Sequence, residues 1–121
     1  MTNYKNLEAW KKSMELVKQV YQLTKSFPKE ELYALTSQVK RAAVSVPCNI
    51  AEGNGRNYKK DTIQFLHIAR GSLYEVGTQL DIAVMVDIIP QKALETIIPL
   101  IEDCLKLLNG LISYYEKSNL K

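Results

Sequence analysis

Ser37-Gln38-Val39-Lys40-Arg41-Ala42-Ala43-Val44-Ser45-Val46-Pro47-Cys48-Asn49-Ile50-Ala51-Glu52-Gly53-Asn54-Gly55-Arg56 places Val39, Ala42, Val46 and Ile50 at successive steps of three, four and four residues. Steps of this kind line up one face of an α-helix. Leu32 and Leu35 extend the stripe toward the N-terminus. Pro47 lies inside it and has no N–H to offer the carbonyl of Ala43, so a bend is expected there rather than an end. Gly53-Asn54-Gly55 closes the stretch, because Gly and Asn take up the left-handed conformation that caps a helix.

Working outward, the same period recurs three more times. Leu7, Trp10, Met14, Val17 and Tyr21 form a stripe before it, widened by Leu16, Val20 and Leu23. Leu66, Ala69, Leu73, Val76, Leu80 and Ala83 form one after it, and Leu94, Ile98, Ile101, Cys104 or Leu105, Leu108, Ile112 and Tyr115 the last. No comparable stretch alternates with period two, so strands are not required. Phe27-Pro28 ends the first segment, and Pro28 can open the second helix, where Glu30 and Glu31 suit the helix dipole. Asn57 or Asp61 can cap the third. Asp87 to Pro90 separates the third from the fourth, within which Pro99 either kinks the helix or divides it. The connections are short, so an all-α, antiparallel up-down-up-down four-helix bundle is expected, with helices of about 20 to 28 residues, roughly 30 to 42 Å long.

The 121 residues, 46% hydrophobic and 24% charged, suit one globular domain over 1–121 and exclude a collagenous or low-complexity chain. A chain of this size buries enough surface to fold without metal or disulfide staples. No apolar run reaches the ~18 residues of a membrane span, and Met1-Thr2-Asn3-Tyr4-Lys5 lacks the layout of a signal peptide, so the cytoplasm is expected and a membrane partner is not. The net charge of +3 hides an asymmetry: residues 1–60 carry eleven basic and five acidic side chains, residues 61–121 five and eight. Either a basic face tracks a phosphate backbone, or the oppositely charged helices attract one another within the fold or between subunits.

Catalytic chemistry has little to use. His67 has no histidine or cysteine at metal-ligand spacing and reads as a surface or flank residue of the third helix. Cys48 and Cys104 fall on or beside apolar stripes, with no Cys-x-x-Cys around either, and read as reduced, buried side chains. No cofactor or metal is expected, and Gly53-Asn54-Gly55 lacks the strand and Gly-Lys-Ser/Thr of a phosphate loop. More informative is a polar seam, Arg41, Ser45, Asn49 and Glu52, at steps of four, four and three beside the apolar stripe. Its side chains either hydrogen-bond across helices and to the carbonyl freed by Pro47, or line a subunit interface or pore. Ala42, Ala43, Ser45 and Ala51, with Ala69, Gly71, Ser72 and Gly77, point to close approach of helices two and three, since glycine inside a helix costs about 1 kcal/mol against alanine.

The stretch from Ser37 to Arg56, together with Phe27-Pro28-Lys29-Glu30-Glu31-Leu32-Tyr33-Ala34-Leu35 and Phe65-Leu66-His67-Ile68-Ala69-Arg70-Gly71-Ser72-Leu73-Tyr74-Glu75, resembles the four-helix bundle proteins encoded by intervening sequences of bacterial large-subunit ribosomal RNA genes. The resemblance runs from about Leu7 to Tyr115, the fourth helix matching as pattern only. Lys40 stands where members of that family often carry an arginine, which keeps the charge without the bidentate fork. The resemblance implies a left-handed bundle, a homopentamer and no enzymatic activity. It also implies kinship with the accessory protein of diversity-generating retroelements, a basic pentamer that associates with nucleic acid. The expected function is therefore binding of RNA or DNA through Lys40, Arg41, Arg56, Lys59, Lys60 and Arg70, with Tyr58 placed to stack on an unpaired base. A scaffold that meets only a partner protein is the alternative.

Overall fold

A computed structural model describes residues 3–121. Met1 and Thr2, part of the N-terminal stretch read above, lie outside it. Four α-helices follow one another: α1 (Glu8–Thr24), α2 (Leu35–Asn54), α3 (Lys59–Met85) and α4 (Gln91–Lys117). Two short 3-10 turns, Tyr4–Asn6 and Lys29–Glu31, precede α1 and α2. Each helix packs on its neighbour in chain order and α1 closes against α4, with α2 and α3 in the most intimate contact. Contacts between distant residues fix the directions: Ser45 meets Ser72 and Gly53 meets Thr62, while Arg70 meets Asn109 and Lys59 meets Ser118. Successive helices are thus antiparallel. None of the described helices is long and apolar enough to cross a membrane.

The third stripe is buried from end to end, and Val39, Ala42, Val46 and Ile50 of the second face it. The first stripe is rotated from its expected position. Ala9, Ser13, Leu16, Val20 and Thr24 form the buried edge of α1, whereas Met14 and Tyr21 are exposed. On α4 the buried line runs through Leu94, Ile97, Cys104, Leu108 and Ile112. The helix continues through Pro99, which lies on its exposed side, so α4 is not divided. α2 likewise runs unbroken through the buried Pro47.

The helix ends depart more from expectation. Pro28 opens the 3-10 turn rather than α2, because Ala34, at φ −121° and ψ −108°, breaks the helical path, and Leu32 is left half-exposed ahead of it. α1 has 17 residues, fewer than expected. Neither Asn57 nor Asp61 caps α3: Tyr58 holds the cap position, with no side-chain bond. Gly55 stays right-handed at φ −87°, and none of the described glycines has a positive φ. The glycine at position 53 has a steric cause instead. A Cβ there would lie 3.0 Å from Phe65 Cβ and 3.1 Å from the Thr62 carbonyl oxygen. Gly71 and Gly77, expected to let α2 and α3 close up, face open space.

Candidate nucleic-acid interface

The fold distributes the six candidate cations, Lys40, Arg41, Arg56, Lys59, Lys60 and Arg70, over three places. Lys40 and Arg41 sit near the start of α2, where the Lys40 ammonium lies 4.4 Å from the centre of the Tyr21 ring. Arg41 is exposed beside a groove of about 310 Å³ that it shares with Gln38, Ser45, Ser72 and Glu75. Arg56 follows sixteen residues after Lys40, about 24 Å along the helix axis at 1.5 Å per residue. Arg70 belongs to neither group. Its guanidinium donates to Asn109 Oδ1 at 2.9 Å and lies 2.9 Å from His67 Nδ1, so it ties α3 to α4.

Between the two ends of α2 runs the polar seam. Ser45 Oγ and Ser72 Oγ share a hydrogen bond of 2.8 Å across the helix pair. Asn49 Nδ2 donates to the Ser45 carbonyl at 2.8 Å and to its hydroxyl at 2.9 Å. The seam therefore joins α2 to α3, and Asn49 serves the carbonyl of Ser45 rather than that of Ala43.

At the turn from α2 into α3 the remaining cations converge. Arg56 pairs with Glu52 at 2.8 Å and lays its guanidinium over the Phe65 ring at 4.5 Å. Lys59 is half-buried: its amide donates to the main-chain oxygen of Lys121 at 2.9 Å and its ammonium to the Ser118 carbonyl at 3.2 Å. Lys59 thus pins the segment after α4, while Lys60 beside it is exposed. A cleft of about 550 Å³ opens here, walled by Arg56, Tyr58 and Lys59 on one side and by Leu111, Tyr114, Tyr115 and Lys121 on the other. Its α4 wall is not legible in the sequence, since Tyr114 falls off the apolar stripe and shares the cleft with Tyr58 only through the antiparallel pairing of α3 and α4.

The charge asymmetry is not discharged within the chain. The ion pairs among the described residues are Lys11–Glu8 and Arg56–Glu52, each local, and none joins the basic half to the acidic one. That leaves basic side chains available to a partner. Among the described residues no group of three His, Cys, Asp or Glu is placed to hold a metal. Cys104 is buried as expected, and desolvation, reinforced by the neighbouring Asp103 charge, pushes its thiol from 9.0 up to about 12. Cys48 is exposed, contrary to expectation, because it falls with Arg41, Val44 and Glu52 on the side of α2 turned away from the core.

The family model of the 23S rRNA-intervening sequence protein matches residues 5–110. The chain belongs to that family. A solved crystal structure, a protein of unknown function from the S23 ribosomal protein family of Bacteroides thetaiotaomicron VPI-5482, superposes with a TM-score of 0.79 at 24% identity, covering 86% of this chain and 97% of its own. At that identity the likeness speaks for the fold alone. No curated protein matches the chain. The resemblance drawn from the Ser37–Arg56 stretch thus agrees with the family, and the 23S rRNA-intervening sequence proteins are, like the solved neighbour, without an assigned activity.

Proposed function

We propose that this 23S rRNA-intervening sequence protein is a non-enzymatic bundle that assembles as a homo-oligomer, five copies by the resemblance drawn above, and binds RNA or DNA through its basic surface. The observation that carries the reading is the convergence of Arg56, Lys59 and Lys121 at one end of the bundle, beside exposed Lys60. Repetition of such a patch around a ring multiplies its field and raises the local concentration of a polyanion. Assembly is supported by apolar surface the bundle leaves open: Met14, Tyr21, Ile68, Ile82 and Met85 are all exposed, and an apolar groove runs between α1 and α4 past Leu107 and Leu111.

Binding measured against salt tests this. Affinity is expected to fall with a log-log slope of about −0.7 per phosphate contacted on single strands. Lys60→Glu combined with Arg56→Gln should flatten that slope with the thermal midpoint little changed, since both side chains lie at the surface. No binding at about 50 mM salt, where counterion release favours association most, overturns the reading. The second reading, a protein scaffold, is favoured by the far end of the bundle, where Leu32, Tyr33, Met85 and Val86 are exposed. In that case the basic surface meets an acidic partner, and a polyanion competes for it without being its ligand.

A further inference from the structure

We infer that the cleft between the start of α3 and the end of α4 receives one unpaired nucleotide, its base stacked on Tyr58 or Tyr114 and its phosphate held by Arg56, Lys59 and Lys121. The inference rests on the nucleic-acid reading above and narrows it to single strands. Three features of the cleft support it.

Charge comes first. Three cations line the cleft, of which Arg56 is paired with Glu52, and no Asp or Glu side chain lines the cleft itself. The α2–α3 groove sets Glu75 opposite Arg41, and the α1–α4 groove sets Glu8 opposite Lys106. Lys59 gives one N–H to Ser118, and an ammonium has three, so donors remain for a phosphate.

Aromatic faces come second. Tyr58 is 62% exposed and Tyr114 63%, and both line the cleft, above an apolar floor that includes Leu111. An aromatic face at that exposure is a platform for a base of any identity. Inside a duplex the faces of the bases are already covered by their neighbours and each base is held in a pair too large for the cleft, so an unpaired base is the form that fits. The surface around Tyr21 also offers two cations, but there the Lys40 ammonium already occupies the ring face.

Size comes third. A cleft of about 550 Å³ falls within the range of roughly 300 to 1,000 Å³ that holds small ligands. One nucleotide is of that order, and a helical duplex is far larger.

The test compares a short single-stranded oligonucleotide with a blunt duplex of the same sequence by fluorescence anisotropy. Wild type, Tyr58→Ala, Tyr114→Ala, Tyr58→Phe and the Lys60→Glu, Arg56→Gln double variant are titrated with each. Wild type should bind the single strand more tightly. At least one of the two Tyr→Ala changes should weaken that binding by about ten-fold, as loss of a stacked base does, and both should leave duplex affinity unchanged. Tyr58→Phe should retain wild-type affinity. Circular dichroism of the variants should match wild type, since both rings are exposed. Equal binding of single strand and duplex, with the Tyr→Ala variants unaffected while the charge variant loses affinity, overturns the cleft as a nucleotide site and leaves the basic-surface reading standing. No binding of either probe by wild type overturns both.

Discussion

Ser13 and Thr24 occupy the buried edge of α1 because each hydroxyl donates back to a carbonyl of its own helix, Trp10 at 2.8 Å and Tyr21 at 3.0 Å. A hydroxyl satisfied this way can be buried without a tertiary partner. Hydropathy cannot show such a bond, so the apolar period centres α1 on Trp10, Met14 and Tyr21, although Leu16 and Val20, at the margin of that stripe, are its fully buried apolar members. On α3, whose buried line is almost wholly apolar, no such ambiguity arose. The two cysteines make the same point in reverse, since both neighbour apolar stripes and only Cys104 is enclosed. A thiol reagent added to native protein should therefore modify one cysteine, Cys48, within seconds to minutes, and a second only in denaturant; two rapid equivalents would refute the burial of Cys104. Its raised pKa has a pH consequence. The unfolded thiol ionises near 9 and the folded one near 12, so the contribution is complete below about pH 9 and is lost as pH rises toward 12. Urea titrations from pH 8 to 11 should show a shallower alkaline decline in Cys104→Ala than in wild type, on a baseline lowered by about 1 to 2 kcal/mol. Cys48→Ala should stay within about 0.5 kcal/mol of wild type.

Helix existence was legible in four periodic stripes; helix ends were not, because contacts from elsewhere in the chain decide them. α3 begins at Lys59 without a side-chain cap, and the Lys59 amide is satisfied by the main-chain oxygen of Lys121, sixty-two residues on. No local motif announces such a partner. The other end of α3 is local and still departs from the common pattern. Ile88 N–H bonds the Ala83 carbonyl at 2.8 Å and Asp87 N–H that of Val84 at 3.1 Å, the paired bonds of a Schellman turn, with Asp87 at φ 64° in the left-handed position where glycine is usual. A side chain there costs about 1 kcal/mol relative to glycine. Asp87→Gly should raise stability by roughly 0.5 to 1 kcal/mol, after allowance for the entropy glycine adds to the unfolded chain. A urea midpoint lowered by the change would show that the aspartate has a compensating contact.

Over the whole molecule, the order and direction of the helices followed from short connections, whereas the candidate site did not, since its two walls are more than fifty residues apart and meet only when α3 and α4 pair. Gly71 and Gly77 separate fold from assembly. Both face open space in the single chain, so alanine at either should stabilise an isolated bundle by up to about 1 kcal/mol through helix propensity. If copies pack backbone to backbone along this face, the same substitutions should shift the mass seen by light scattering toward 13.8 kDa. A more stable protein of unchanged mass would exclude the face from assembly. Gly53 carries a consequence of another kind. Its close approach to α3, fastened by the 2.8 Å bond from Thr62 Oγ1 to the Gly53 carbonyl, joins two helices separated by a short turn. Closing so short a loop demands little entropy, so this corner should form before α1 and α4 dock. Gly53→Ala should then slow refolding by nearly the factor it takes from the equilibrium constant, while Leu16→Ala in α1 chiefly quickens unfolding, and stopped-flow chevrons of the two variants would reveal the order in which the bundle closes.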